Sequence, residues 1–114
     1  MGFVNSFEGK DVVCIAGRIN GTGTAAITAG EGFSLNDGGT GIYTITFARA
    51  FDSLLAVVCS TETADSTVVS TTITHTDGTI GPSILFNGWD YTDGTSPVAK
   101  DIKFNFITIW QVDT

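Results

Sequence analysis

Apolar and polar residues alternate along this chain with a period of two, the spacing of a half-buried β-strand. Residues 42–48 (IYTITFA) show it most plainly, with Tyr43, Ile45 and Phe47 on one face and Thr44 and Thr46 on the other. Residues 102–110 (IKFNFITIW) place Ile102, Phe104, Phe106 and Trp110 on one face. Lys103, Asn105, Ile107 and Ile109 occupy the other, so the far half of this strand is apolar on both sides. Further strands are predicted at 12–19 (VVCIAGRI), 25–29, 67–75 (TVVSTTITH, polar and β-branched, hence half exposed) and 83–86. Residues 54–60 (LLAVVCS) are apolar on both faces and read as a central, buried strand. No stretch repeats apolar residues at i, i+3, i+4 and i+7 over three turns, and good helix formers are scarce beside Thr, Val, Ile and Phe.

Turn signals separate these runs. Asn20-Gly21 and Asp77-Gly78 suit tight hairpins because their residues tolerate positive φ. Residues 36–41 read as a longer turn, and residues 87–97 as a polar loop. Pro82 and Pro97 fall beside strands and not within them, as a hydrogen-bonded ladder requires. The predicted fold is therefore all-β: an antiparallel β-sandwich or jelly roll of about seven or eight short strands. It spans residues 12–114 as a single domain, preceded by a short N-terminal arm at residues 1–11.

Composition narrows the functional classes. The 114 residues carry 5 Lys and Arg against 12 Asp and Glu, a net charge of −7. So few scattered cations disfavour nucleic-acid binding. A 42% hydrophobic content with 15% charged residues disfavours disorder. The longest apolar run, residues 54–59, is far short of a membrane span, and no membrane partner is expected. The N-terminus lacks the basic and apolar regions of a secretory signal. Met1-Gly2 followed by Ser6 fits only a short, common myristoylation pattern. Cys14 and Cys59 both sit in apolar runs and read as buried free thiols in preference to a disulfide, which points to an intracellular origin. The 14 glycines fall mostly at turns and the 18 threonines mostly on strand faces, so neither marks low complexity.

Little in the chain carries chemistry, and no catalytic residue, metal or cofactor is expected. The single histidine, His75, ends a Thr-rich strand and reads as a surface residue beside a turn. Residues 17–24 (GRINGTGT) resemble a phosphate loop only superficially, lacking the GK[ST] ending and a following helix. Asp90, Asp93 and Asp101, with Asp77, offer oxygen ligands, but their spacing does not match a calcium loop; a solvated loop is favoured. Trp89, Tyr91 and Asp93 form a candidate ligand loop, since loop aromatics stack on sugars or fill a partner's pocket. The favoured alternative has Trp89 plugging the end of the sandwich.

One longer pattern remains. Gly30-Glu31-Gly32-Phe33-Ser34-Leu35, then Gly39-Thr40-Gly41-Ile42-Tyr43-Thr44-Ile45-Thr46-Phe47, then Phe51 and the apolar run 54–59, end in Lys103-Phe104-Asn105-Phe106-Ile107. Together with residues 17–24 this resembles small β-sandwich domains of tailed-bacteriophage virions: capsid decoration or head-fibre proteins and tail-fibre tips. The chain departs from that pattern at Leu54-Leu55-Ala56, where the fibres often carry proline. The resemblance implies a homotrimer, with Phe47, Phe104, Phe106 and Trp110 either at subunit contacts or in the core. Only about eleven residues precede the first predicted strand, too few for a fibre shaft. The leading expectation is thus a non-enzymatic decoration or cement protein: a trimeric knob on the outer head surface, assembled in the host cytoplasm. The major capsid protein would be its partner, with Phe3, Val4 and Phe7 as anchors of a docking arm that could equally fold back as a strand. The alternative is a receptor-binding or fibre-tip protein recognising host surface glycan through the Trp89 loop. A small lectin or jelly-roll enzyme outside any virion is a third, weaker reading.

Overall fold

The computed structural model describes residues 4–7, 10–62, 67–73, 82–91 and 96–113. Every regular element among them is a strand: β1 (Val4–Phe7), β2 (Lys10–Asn20), β3 (Ala26–Ala29), β4 (Phe33–Gly39), β5 (Ile42–Phe47), β6 (Ser53–Thr61), β7 (Thr67–Ile73), β8 (Ser83–Asp90), β9 (Val98–Ala99) and β10 (Lys103–Asp113). They form two five-stranded antiparallel sheets. The first runs β1-β2-β10-β6, with β3 also pairing β2; the second runs β4-β5-β8-β7, with β9 also pairing β8. The sheets pack as a sandwich. No helix of the described residues is long and apolar enough to cross a membrane.

The alternation read in the sequence decides which residues lie between the sheets. Val13, Ile15 and Ile19 of β2 face inward with Phe104, Phe106 and Trp110 of β10. They meet Tyr43, Ile45 and Phe47 of β5 and Ile84 and Phe86 of β8; Ile102 and Phe51 close the ends. The aromatic rings interlock at preferred tilted and edge-on geometries. Phe47 meets Trp110 edge-on at 4.9 Å, Phe51 stacks on Trp110 at 4.4 Å, and Phe106 lies 5.2 Å from both Phe33 and Phe86. The chain thus buries Phe47, Phe104, Phe106 and Trp110 to 0–1% exposure by itself. These four rings form the interior of one subunit and present nothing to another.

Several expected elements differ from what forms. Residues 54–60 are not central. Among the described residues β6 pairs only with β10 and lies at the edge of the first sheet, while β2 and β10 hold the centre. Its inward residues Leu54, Val57 and Cys59 pack on the core, but Leu55 and Val58 are 50% and 61% exposed. The register shifts here: Ile109 faces Ala56 and Trp110 faces Leu54, leaving Leu55 as the extra residue of a bulge. Residues 36–39 continue β4 and are not part of a turn. The reversal is confined to Thr40 and Gly41, where Gly41 adopts φ 69°. Asn20-Gly21 is not a two-residue hairpin, because Asn20 pairs with Ala26 and the connection spans residues 21–25. Asn20 Oδ1 organises that loop by accepting from Thr22 N at 3.0 Å and Thr22 Oγ1 at 2.7 Å. β8 runs on to Asp90, through what read as loop. Within the expected arm, Val4–Phe7 pairs back on β2, which starts at Lys10. Phe3, His75 and the Asp77-Gly78 turn lie outside the described residues.

Candidate functional site

The expected ligand loop does not assemble. Trp89 stands within β8, opposite Val68 of β7 and Ala99 of β9. Phe86 and Gly88 face inward, so Trp89 points outward, and it neither caps the sandwich nor belongs to a loop. Its indole Nε1 donates to Ser70 Oγ at 2.8 Å across the sheet. Tyr91 follows the strand and is 42% exposed. Asp93 lies outside the described residues.

The acids named with it are dispersed. Asp90 Oδ2 pairs with Lys100 Nζ at 3.4 Å. Asp101 Oδ1 accepts from Gly41 N at 2.9 Å and from the Tyr43 hydroxyl at 3.2 Å. No group of three or more His, Cys, Asp or Glu side chains that could hold a metal occurs among the described residues. The Tyr43 hydroxyl also accepts from Ile102 N at 3.1 Å and lies 3.4 Å from the Gly21 carbonyl. Burial raises the Tyr43 pKa to about 12; the Ile102 N–H works against that rise, and the Asp101 charge adds to it. A phenol this deeply buried ties loops together and has no access to a substrate.

The cysteines are free and half-buried, not fully buried as expected. Cys14 is opposite Ile109, and Cys59 is opposite Phe106. They sit on either side of β10, Cys14 toward the outer face and Cys59 toward the core, so they cannot pair. Burial pushes the Cys59 thiol pKa up, which keeps it protonated and unreactive.

What the structure does assemble is an apolar patch on the outer face of the first sheet. Two cross-strand rows build it: Ala16, Ile107 and Val58 in one, Cys14, Ile109 and Ala56 in the next. Ile107 is 44% exposed and Val58 stands out furthest, with Leu55 beside the lower row. A groove of about 410 Å³ opens on the β2 side of Ile107, walled by Ala16, Ala29 and Gly30, with Arg18 and Asn105 at its rim. Polar side chains close the patch at one end. Arg18 donates to Glu62 through Nε at 2.9 Å and Nη2 at 2.6 Å, and Asn105 accepts from Ser60 at 2.8 Å. This pairing holds the Glu62 carboxyl pKa below its ordinary value and raises that of Arg18. Half of the patch was visible in the sequence, in the change from Lys103 and Asn105 to Ile107 and Ile109 along one face of β10. The β6 half was hidden, because a strand apolar on both faces reads as buried.

No family model matches this chain, no curated protein matches its sequence, and no solved structure matches its fold.

Proposed function

We propose that this protein is a structural, non-catalytic surface module that works by docking, and that it decorates the outside of a tailed-bacteriophage head. The observation carrying the docking role is the exposed apolar face built by Ile107, Val58 and Leu55 on a rigid sheet whose inner side is a closed aromatic core. Contiguous apolar surface on a small folded domain marks an interaction site. The head-decoration role rests on the motif run from residue 30 to 59 and on Lys103 to Ile107, described above. A net charge of −7 suits a surface turned away from packaged DNA. Of the two places the resemblance gave Phe47, Phe104, Phe106 and Trp110, subunit contacts or core, they take the core, and the exposed apolar face is the surface this reading offers for contacts between copies. Quantitative mass spectrometry of purified particles tests the role. Many copies per particle, retained on tailless heads, are expected; absence from particles overturns it.

A second reading keeps host glycan as the partner, and one observation favours it. Trp89 faces outward with Val68 beside it, and Tyr91 and Val98 are exposed at the same end of the second sheet. An outward indole flanked by apolar side chains is a platform for a sugar ring. Glycan-array binding lost in Trp89→Ala supports this reading, and a silent array with unchanged adsorption removes it.

A further inference from the structure

We infer that the occupant of the first sheet's outer face is a second copy of this chain, stacked face to face about a two-fold axis running along β10. This deepens the docking reading above and rests on it. In a two-fold contact, residue i of one copy meets residue j of the other, and j meets i. With the axis along β10 at Ile107, whatever stands on the β2 side must fit whatever stands at the same height on the β6 side. The structure meets that condition three times. Ile107 lies on the axis and meets its own copy. Ala16 and Val58 are both paired with Ile107, one on each side. The projecting Val58 of each copy thereby faces the groove beside Ala16, Ala29 and Gly30 of the other.

The third match is electrostatic. Arg18 and Ser60 are both paired with Asn105, and Glu62 lies just beyond Ser60, its backbone N–H bonded to the Lys103 carbonyl. Folding about β10 brings Arg18 of one copy over Ser60 and Glu62 of its partner, and the reverse. The pair that bridges Asn105 within one chain is placed to exchange partners between two. Between these charges and the far ends of the strands the face carries no charged side chain from Cys14 to Ala16, Ala56 to Ser60 or Asn105 to Ile109. A chain with a net charge of −7 repels its copies over most of its surface, and this neutral patch is where they can approach. Sheets stacked in this way lie about 10 Å apart.

Sedimentation velocity of the full chain tests the arrangement. Twice the chain mass is expected for the wild type. Val58→Lys is expected to sediment at the chain mass, and to melt like the wild type when both are diluted far enough to keep the chains apart, because the side chain projects from the surface. Val68→Lys, on the outer face of the other sheet, keeps the dimer. Arg18→Glu and Glu62→Arg each weaken it, and the two together restore it; a pair acting only within one chain would leave the mass unmoved. A wild-type monomer across the micromolar range, a trimer mass, or a Val58→Lys dimer each overturns the two-fold arrangement. Particle copy number is measured separately, so a monomeric decoration protein and a dimer absent from particles are told apart.

Discussion

Trp110 donates its indole N–H to the Thr108 hydroxyl at 2.7 Å, and Thr108 donates onward to the Ile15 carbonyl at 3.0 Å. Both side chains are fully buried, so this two-step chain is what allows an indole to lie against Phe47 and Phe51 with its N–H hydrogen-bonded. Thr108 interrupts the apolar face of β10 for that reason. Thr108→Val keeps the shape and removes both hydrogen bonds, which takes the hydroxyl acceptor away from a buried donor. A loss of about 1–3 kcal/mol is expected in urea denaturation. Thr108→Ser, which retains the hydroxyl, is expected to lose less. Equal stability of the valine variant and the wild type would show that the indole is satisfied in some other way.

Tyr43 gives the fold a pH dependence at the alkaline end. Its pKa rises from 10.0 to about 12 on folding, so the folded chain holds the phenolic proton more tightly than the unfolded chain. The associated stability is complete below pH 10.0 and is lost as pH rises toward 12. The loss is on the order of 1–2 kcal/mol, after allowing for solvent screening. Denaturant midpoints measured on either side of that window should show this drop in the wild type. Tyr43→Phe should be less stable at neutral pH, where it lacks the bonds to Asp101 and Ile102 N–H, and its profile across the same window should be flatter.

Gly21 is fixed by the same cluster. A Cβ there would lie 2.1 Å from the Tyr43 hydroxyl and 2.4 Å from the Ile102 carbonyl, and Gly21 N donates to that carbonyl at 2.8 Å. Backbone cannot give way as a flexible side chain can. Gly21→Ala is therefore expected to cost about 1–3 kcal/mol as an overpacked site. It should also lower the Tyr43 pKa by opening the cluster to water, read as tyrosinate absorbance against pH. An alanine variant with wild-type melting and titration would mean that the residue 21–25 loop moves freely away from Tyr43.

Local alternation in β5 and the first half of β10 exposed the core, because each inward residue there has at least one polar neighbour in the sequence; Tyr43, Phe47, Phe104 and Phe106 were legible for that reason. Pairing partners were not legible. Whether residues 54–60 lie at the centre or the edge depends on what stands beyond β6, and Leu55 and Val58 look the same in either place. Trp89 was misplaced for a related reason: Asn87-Gly88 resembles a turn, yet Gly88 is there because a Cβ would lie 2.4 Å from the Lys100 carbonyl. Thr40 and Gly41 alone make the turn that residues 36–41 seemed to share. The first two of these concern long-range pairing, which turn and strand propensities do not encode; the third is the local β4–β5 hairpin, whose strands run closer to the turn than its Gly-rich sequence suggests.

Neighbouring residues of β10 provide the sharpest test of the two-faced sheet. Phe106 is 1% exposed and touches three rings of the facing sheet, Phe33, Phe47 and Phe86, whereas Ile107, the next residue, is 44% exposed on the outer side. A cavity at Phe106 is bounded by Phe33, Phe47 and Phe86 on strands fixed in the facing sheet, so little collapse can fill it. Phe106→Ala is expected to cost about 3–5 kcal/mol. Ile107→Ala leaves no cavity in the core, and it is expected to change the stability of the single chain by about 0.5 kcal/mol or less. Chemical denaturation of the two variants, at a concentration low enough to keep the chains apart, measures the contrast. Comparable losses in both would mean that Ile107 is covered within its own chain, and the outer face would then not be available for docking.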